Sequence, residues 1–389
     1  MRNVVVVGGG AAGVAAVETL RREGYDGALT LLCGEPVLPY DRPPLSKQVL
    51  TGAWDHQRTR LRQREQYADL GVRLLHARAR ELDPAGRTVR LDDGTGLDYD
   101  GLVIATGARP RRLPGDAHLA PGVHVLRDRP DATDLRTAFE AGGRVVIVGA
   151  GFLGLEVAAA ARSLGLDVTV VDPLDQPMLR QVGPAIAPVV AGLHRDRGVD
   201  LRLGAGVAAI RGAEGGGAQV ELTDGTRLPA DCVLVSIGAV PEVDWLRGSG
   251  LPLGDGVECD QYCKAAPGVY AAGDVASWFN PRYGRRMRLE HRMNATEQGT
   301  AAARNLLHGD TRPFAPLPYF WTDQYDVKIQ GHGLLGPEAE VTIEEGSPAD
   351  GRFVATFREE GRLMGVLGWN APKLILPFRK MLLEEQAAR

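Results

Sequence analysis

Cysteine is scarce in this sequence: its 389 residues include only Cys33, Cys232, Cys259 and Cys263. Four scattered cysteines are too few for a disulfide framework or a structural zinc site. Three residues separate Cys259 from Cys263, which is neither the spacing of a C-x-x-C redox pair nor a usual metal-ligand spacing. We therefore expect buried structural thiols and no metal centre.

An excess of charge of either sign is also missing. Lys and Arg number 45 against 49 Asp and Glu, a net charge of −4, which argues against a protein dedicated to nucleic acids or a membrane surface. No apolar run approaches the ~20 residues that span a bilayer. Met1–Leu20 only weakly resembles a signal peptide, because glycines and Glu18 interrupt it. We expect a cytoplasmic protein, monomeric or homodimeric.

A pattern near the amino terminus is typical of a dinucleotide-binding βαβ unit. The apolar run Val4–Val7 predicts a strand, and Gly8-x-Gly10-x-x-Gly13 leads into a predicted helix through Arg22. A second strand is predicted at Leu29–Leu32. The glycines permit a tight turn and close approach of a pyrophosphate, which then lies at the positive end of the helix.

The same pattern recurs in the middle of the chain. Val145–Val148 precedes Gly149-x-Gly151-x-x-Gly154, a predicted helix through Leu164 and a strand at Val168–Val171. Each copy also closes similarly, with Leu102–Pro110 in the first and Val233–Pro241 in the second. Two glycine turns in the correct strand–turn–helix context predict two bound dinucleotides, and hence an electron relay.

Acidic residues after each turn suggest which dinucleotide binds where. Asp172 follows Gly154 by 18 residues, where a carboxylate accepts from a ribose 2′-hydroxyl and repels a 2′-phosphate, so NADH is favoured over NADPH. Arg180 is the nearest following arginine. Glu35, 22 residues after Gly13, is the candidate for the adenosine ribose of FAD.

A third pattern, Val269–Ala276, reads as an apolar strand that ends in Gly273-Asp274 before a helical segment. Asp274 is suited to bind a ribityl hydroxyl of FAD. Because this pattern follows the second βαβ copy, we predict an α/β fold with two nested Rossmann-like domains and a carboxyl-terminal α+β interface domain. That last domain should contain strands at Glu340–Glu344, Arg352–Phe357 and Arg362–Trp369 and end in an apolar-rich helix. The expected boundaries are 1–112 and 239–310 for the FAD domain, 113–238 for the NADH domain and 311–389 for the interface domain.

Several motifs occur in one order along the whole chain. They are Gly8–Gly13, Tyr40–Lys47, Ala105–Gly107, Gly149–Glu156, Tyr270–Asp274, Glu290–Gly299 and Phe320–Tyr325. Together they resemble the FAD-dependent ferredoxin, rubredoxin and putidaredoxin reductases, whose fold is that of glutathione reductase. Tyr40–Lys47 and Phe320–Tyr325 are specific to this branch.

The resemblance implies roles for individual residues. Lys47, one of only five lysines, would lie beside the flavin, pair with Glu156 and act with it as the catalytic pair. Trp321 would lie close to the flavin ring, and Arg42 and Arg127 would contact FAD. The predicted cofactor-binding set is Gly8, Gly10, Ala12, Gly13, Glu35, Arg42, Lys47, Ala105, Thr106, Gly107, Arg127, Gly149, Gly151, Leu153, Gly154, Glu156, Asp172, Arg180, Gly238, Gly273, Asp274 and Trp321.

Disulfide reductases of the same fold need a redox-active cysteine pair, but residues 36–60 contain no cysteine. Electrons should therefore leave the flavin directly. The resemblance implies hydride transfer from NADH to flavin N5, followed by one-electron transfers to a small iron–sulfur protein, a ferredoxin or rubredoxin, that serves an oxygenase. Two alternatives remain open: an NADH oxidase or quinone and small-molecule reductase, and an NADH-responsive redox sensor resembling apoptosis-inducing factor.

Two positions depart from the family pattern, and one segment is unusually basic. Arg292 stands where the family generally has Trp, and Asp128 where it commonly has Thr. Five cations lie within eleven residues and could steer an acidic ferredoxin; they are Arg282, Arg285, Arg286, Arg288 and Arg292.

Overall fold

The computed structural model describes residues 1–115, 120–213 and 216–387. The chain divides into two units, each made of three separate stretches. The first unit consists of Met1–Asp41, Gln57–Arg109 and Val240–Pro318. The second consists of Arg42–His56, Pro110–Ala239 and Tyr319–Arg389.

The main sheet of the first unit has six strands, and its central strands are parallel. In spatial order they are β20 (Lys264–Ala266), β21 (Val269–Ala271), β7 (Gly101–Ile104), β1 (Asn3–Val7), β2 (Ala28–Cys33) and β3 (Val72–His76). Helix α1 (Ala11–Arg22) connects β1 to β2. The valines of β1 are buried, as expected for a central parallel strand covered on both faces.

The rest of the first unit consists of two smaller sheets and two further helices. The three-stranded sheet contains β4 (Ala79–Asp83), β5 (Thr88–Leu91) and β6 (Gly96–Asp98). The four-stranded sheet contains β18 (Leu253–Gly254), β19 (Gly256–Cys259), β22 (Ala276–Asn280) and β23 (Arg285–Met287). The helices are α2 (Arg64–Asp69) and α6 (Arg292–His308).

The second unit repeats the doubly wound arrangement with five parallel strands. In spatial order they are β12 (Asp200–Leu203), β11 (Asp167–Asp172), β10 (Arg144–Val148), β16 (Cys232–Val235) and β9 (Val123–His124). Its helices are α3 (Arg129–Glu140), α4 (Phe152–Ser163) and α5 (Leu179–Asp196), which is kinked at Gly183. Both predicted βαβ copies are therefore present.

Two antiparallel sheets complete the second unit. One contains β13 (Val207–Gly212), β14 (Ala218–Leu222) and β15 (Arg227–Ala230). The other, in spatial order, contains β24 (Tyr319–Gln324), β25 (Val327–Gly333), β28 (Arg362–Trp369), β27 (Arg352–Glu359) and β26 (Glu340–Ser347). Helix α7 (Ile375–Ala387) follows this sheet. The chain passes between the units at five points, and two of these lie within short strands, β8 (Ala108–Pro110) and β17 (Ala239–Pro241).

The predicted α/β fold class is confirmed, with three differences in its elements. The strand that begins at Val269 was expected to reach Gly273 and Asp274 but ends at Ala271, because the chain turns at Gly273 with φ of 79°. The segment after Asp274 is the strand Ala276–Asn280 and not a helix. Of the strands in the carboxyl-terminal sheet, the three last in sequence were predicted, whereas Tyr319–Gln324 and Val327–Gly333 were not.

Candidate active site

The two glycine turns have matching geometry because each must bring a helix close to a strand. Gly8 and Gly149 have φ of 119° and 110°. A Cβ at either position would lie 2.1 Å from a backbone oxygen, that of Ala105 or Ser236. Only glycine fits such a conformation and such a contact.

The third glycine of each turn is equally constrained. A Cβ at Gly13 would lie 1.9 Å from the Gly8 carbonyl oxygen, and one at Gly154 would lie 2.0 Å from that of Gly149. In both turns, therefore, the helix packs directly on the chain that precedes it.

The amino-terminal ends of α1 and α4 are open for a ligand. Gly10 and Gly151 are their N-cap residues, and neither helix has a side-chain cap. A Cβ at Gly10 would have no neighbour within 4 Å, and one at Gly151 would meet only the Gln181 amide, at 3.8 Å. Uncapped backbone N–H groups beside open space form the arrangement that binds a pyrophosphate, so both turns fit a dinucleotide.

In the first unit, Gly273 lies against α1. A Cβ at Gly273 would lie 3.1 Å from the Cβ of Ala12, and the Gly273 N–H donates to Gln298 Oε1 at 2.9 Å. Gln298, on α6, is fully buried. The structure thus places Gly273 against Ala12 of α1, and the half-buried Asp274 follows it in the chain. Gln298 belongs to the motif Glu290–Gly299, but no role for it was predicted.

Two further predicted FAD residues of this unit are held by local hydrogen bonds. Tyr40 donates its hydroxyl to Glu35 Oε2 at 2.6 Å, just beyond the end of β2. The Thr106 hydroxyl donates to the Glu242 carbonyl at 2.8 Å, which fixes the strand-end turn Ala105–Gly107. The cofactor-binding roles of Glu35 and Thr106 stay predictions.

In the second unit, Asp172 lies at the carboxyl end of β11, beside the second glycine turn. Its Oδ2 accepts from the Ala150 N–H at 2.7 Å and its Oδ1 from the Leu174 N–H at 2.8 Å. The carboxylate is half-buried and is oriented by the loop whose phosphate-binding role was predicted. Arg180, at the second residue of α5, is exposed.

Lys47 and Glu156 form a buried ion pair in the second unit. Lys47 Nζ lies 2.7 Å from Glu156 Oε2, and the two side chains are 13% and 9% exposed. Pro43–Ser46 forms a single tight helical turn that ends at Lys47, while Glu156 lies on α4, two residues beyond Gly154. The predicted pairing of these residues is present, over 109 residues of sequence.

Two hydroxyl groups complete the surroundings of the Glu156 carboxylate. Ser46 Oγ donates to Oε2 at 2.6 Å, and Thr322 Oγ1 donates to Oε1 at 2.8 Å. Both Glu156 oxygens are thus hydrogen-bonded inside the protein, as a buried charge requires. Thr322 belongs to the motif Phe320–Tyr325, but no role for it was predicted.

Arg42, Arg127 and Trp321 also lie in the second unit. The Arg42 guanidinium donates to the Arg127 carbonyl at 2.5 Å, so these two predicted FAD contacts are neighbours. Trp321, on β24, is half-buried, and its ring stacks on that of Tyr319 with centroids 6.0 Å apart. Gly238 adopts φ of 97° at the end of the second repeat.

Asp128, one of the departures from the family pattern, has a structural explanation. It is the N-cap of α3 and accepts from the Asp131 N–H at 2.9 Å, while Asp131 accepts in return from the Asp128 N–H. Asp and Thr both serve as N-caps. The replacement therefore preserves the start of the helix.

The other departure, Arg292, occupies the first turn of α6 and pairs with Asp41. Arg288, only 13% exposed, pairs with Asp255 at 2.9 Å and with Glu290 at 2.6 Å. The expectation of five cations facing a partner is thus wrong for Arg288 and Arg292, because carboxylates neutralise both.

The remaining arginines of the basic segment differ in exposure. Arg282 is half-buried and donates to the Ala315 carbonyl at 3.0 Å. Arg286 also donates to backbone carbonyls, those of Cys259 and Ser277. Arg285 and Arg286 are exposed, so a smaller positive surface remains on β23.

The family assignment follows from sequence and structure comparison. Residues 2–299 match the pyridine nucleotide-disulphide oxidoreductase family, and residues 319–389 match the reductase C-terminal domain. The chain belongs to the pyridine nucleotide-disulphide oxidoreductase family. It is 37% identical over 385 residues to rhodocoxin reductase of Rhodococcus erythropolis, covering 98% of this chain and 90% of that protein.

Further relatives place this pyridine nucleotide-disulphide oxidoreductase in the ferredoxin reductase branch. It is 39% identical over 381 residues to the ferredoxin–NAD(+) reductase component of the anthranilate 1,2-dioxygenase system of Burkholderia cepacia, covering 97% of this chain and 93% of that protein. The crystal structure of a covalent putidaredoxin reductase–putidaredoxin complex matches with a TM-score of 0.93 and 33% identity, covering 99% and 93% of the two chains. The predicted resemblance is confirmed, and with it the cofactors FAD and NAD(H).

None of the cysteines of this pyridine nucleotide-disulphide oxidoreductase is paired in a disulfide. All four of its cysteines are free and buried. Burial raises the pKa of Cys33, Cys232 and Cys259 to about 12, and that of Cys263 also lies well above its ordinary value. Thiols held protonated in this way are poor nucleophiles, which agrees with the predicted structural role.

Two kinds of feature are absent from the described residues. No group of three or more His, Cys, Asp or Glu side chains within them is placed to hold a metal ion. Among the helices of the same residues, none is both long enough and apolar enough to cross a bilayer.

Proposed function

We propose that this protein is an NADH:ferredoxin reductase that supplies electrons to an oxygenase. It would accept a hydride from NADH on FAD and pass electrons one at a time to a small iron–sulfur protein. The observation that carries this proposal is the buried Lys47–Glu156 pair beside the second glycine turn, in a chain whose four cysteines are all buried and unpaired. A hydride acceptor without an internal disulfide must deliver its electrons to an external acceptor.

The residues of the first unit suit FAD. The open end of α1 at Gly10 would bind the pyrophosphate, Glu35 would accept from a ribose hydroxyl and Asp274 from a ribityl hydroxyl. When bound, FAD supplies the hydride-accepting ring and the capacity to release single electrons. The contribution of the protein is to hold the ring in place and to set the charges around it.

The residues of the second unit suit NADH. The open end of α4 at Gly151 would bind its pyrophosphate, and Asp172 would accept from the 2′-hydroxyl of its adenosine ribose. The negative charge of Asp172 would repel a 2′-phosphate, which favours NADH over NADPH. Lys47, fixed by Glu156, would orient the nicotinamide and stabilise negative charge that develops during hydride transfer.

The proposed electron acceptor is an acidic ferredoxin. Relatives are named as reductase components of dioxygenase systems, and the exposed Arg285 and Arg286 offer positive charge for electrostatic steering. We also propose that the protein works in the cytoplasm, because it would use NADH and its cysteines are all free.

The test is anaerobic stopped-flow mixing of the FAD-loaded protein with NADH, followed by a [2Fe–2S] ferredoxin. We expect rapid flavin bleaching and then rapid reduction of the ferredoxin. In a separate aerobic assay, NADH-dependent oxygen consumption that needs no iron–sulfur protein would instead identify an oxidase. A reduced flavin that absorbs at long wavelength and does not pass its electrons on would identify a redox sensor.

A paired variant tests the residues. Lys47→Met should slow bleaching, whereas Lys264→Met, which removes the more exposed Lys264–Asp310 pair (2.6 Å) of the first unit, should not. Equal bleaching rates in both variants would refute the role of Lys47.

A further inference from the structure

A line of hydrogen bonds runs from Glu156 through the interior of the second unit. Thr322 Oγ1 lies 2.8 Å from Glu156 Oε1, and Gln324 Nε2 lies 3.3 Å from Thr322 Oγ1. Gln324 Oε1 lies 2.8 Å from His194 Nε2. His194 Nδ1 lies 3.3 Å from the Tyr325 hydroxyl. The line therefore joins β24, which carries Thr322 and Gln324, to His194 on α5.

The side chains in the middle of this line are removed from solvent. Thr322, Gln324 and His194 are each 0% exposed, and Glu156 is 8% exposed. A buried polar group must find its hydrogen-bond partners inside the protein. These four buried polar residues are hydrogen-bonded one to the next, and they thus form one network rather than separate contacts.

The chemistry of each group fixes the direction of every donor. The Glu156 carboxylate, paired with Lys47, only accepts, so Thr322 must donate to it. The Thr322 oxygen then accepts from the Gln324 amide nitrogen, which also approaches Met178 Sδ at 3.6 Å. The Gln324 carbonyl oxygen consequently faces His194, which must donate through Nε2–H.

The last bond follows from the same reasoning. A neutral histidine that carries its proton on Nε2 accepts at Nδ1, where the Tyr325 hydroxyl donates. Burial lowers the pKa of His194 to about 4, and burial also raises the pKa of Tyr325 to about 12. At neutral pH the histidine is therefore uncharged and the tyrosine keeps its proton, as this arrangement requires. All four bonds donate toward Glu156.

We propose that Thr322, Gln324 and His194 are positioning residues for hydride transfer: their aligned hydrogen bonds orient the Glu156 carboxylate so that it holds Lys47 in place. This inference rests on the proposed function, since it assigns Lys47 its role beside the nicotinamide. Aligned hydrogen bonds polarise one another, so the orientation of Glu156 depends on residues that touch neither cofactor.

The kinetic test uses two substitutions at Thr322 in the FAD-loaded protein. Thr322→Val keeps the shape and removes the donor to Glu156, and we expect flavin reduction by saturating NADH to slow about tenfold. Thr322→Ser restores the hydroxyl and should stay within about twofold of the unmodified protein. The matched control is Thr356→Val. Thr356 lies on β27, in the same sheet as Thr322, and it is also buried and donates to a carboxylate oxygen, Glu344 Oε1, at 2.7 Å. Thr356→Val should leave the rate unchanged.

An independent readout is the tautomer of His194, which nitrogen NMR of histidine-labelled protein reports in the absence of NADH. The His194 signals are assigned by their loss in the His194→Gln variant. We expect a neutral ring protonated at Nε2. A ring protonated at Nδ1, or a charged ring, would overturn the donor direction. Equal rates in Thr322→Val and the unmodified protein, or no recovery in Thr322→Ser, would overturn the positioning role. If NADH does not reduce even the unmodified protein, the proposed function fails, while the NMR result still tests the network.

Discussion

The buried Lys47–Glu156 pair yields a quantitative prediction, because removing either partner leaves the charge of the other buried without its counter-charge. Lys47→Met leaves the carboxylate with only the Ser46 and Thr322 hydroxyls. Glu156→Gln leaves the ammonium group near Ser46 Oγ at 3.3 Å. Each single substitution thus creates a buried charge without its counter-charge.

The magnitude follows from the distance and the burial. Two unit charges 2.7 Å apart attract by about 6 kcal/mol at an effective dielectric constant of about 20, and desolvation of both groups offsets part of this. Breaking one partner of a buried pair typically costs about 3–5 kcal/mol, whereas replacing both with neutral residues of similar volume is often close to neutral. We therefore expect each single variant to lose about 3 kcal/mol of unfolding free energy and the double variant to lose less than either.

The assay is denaturant unfolding at pH 7 of the unmodified protein, the two single variants and the double variant, each with saturating FAD. A parallel cycle on Lys264→Met and Asp310→Asn is the control, because that pair is equally short but 31% and 28% exposed. Exposed pairs contribute about 0–1 kcal/mol. The reasoning is refuted if the losses at Lys47 and Glu156 add to within about 0.5 kcal/mol, or if the two cycles give the same coupling energy.

Three further predictions address specificity, docking and pH. Asp172→Asn removes the charge that would repel a 2′-phosphate, so the ratio of kcat/KM for NADH over NADPH should fall about tenfold; an unchanged ratio would contradict the assignment. Arg285→Glu should slow reduction of an acidic ferredoxin about tenfold at low salt and leave flavin reduction unchanged, while the exposed control Arg227→Glu should affect neither rate. Because burial lowers the pKa of His194 from 6.5 to about 4, the unfolded chain takes up the proton first as pH falls. Unfolding free energy should therefore drop by about 2 kcal/mol more between pH 7 and pH 5 in the unmodified protein than in His194→Gln; equal drops would show that His194 is not buried as described.

The features that could be predicted from sequence are those set by local backbone geometry. Gly8 and Gly149 adopt left-handed conformations against a backbone oxygen at 2.1 Å, and such constraints leave a glycine pattern that is readable in a single sequence. The pairing of Lys47 with Glu156 is different, since 109 residues separate them. It was reached only through the resemblance to a family.

Charge neutralisation was not predictable for a related reason. Arg288 and Arg292 look like part of a continuous basic segment, and only Glu290, which pairs with Arg288, lies within it. Their other partners, Asp255 and Asp41, lie elsewhere in the sequence. A count of charges along the chain describes composition only. The electrostatic field outside the protein depends on which charges form ion pairs after folding.

Strand β24 was not predicted, because polar residues occupy two of its buried positions. Its buried positions alternate correctly, with Phe320, Thr322 and Gln324 facing inward, but two of the three are polar. A search for alternating apolar residues therefore misses the strand. These polar residues are tolerated inside because they bond Glu156 and His194, and each would cost free energy without that partner. The departure from the apolar pattern thus occurs at the buried polar residues that link Glu156 to His194, as expected where a site imposes requirements that differ from those of the core.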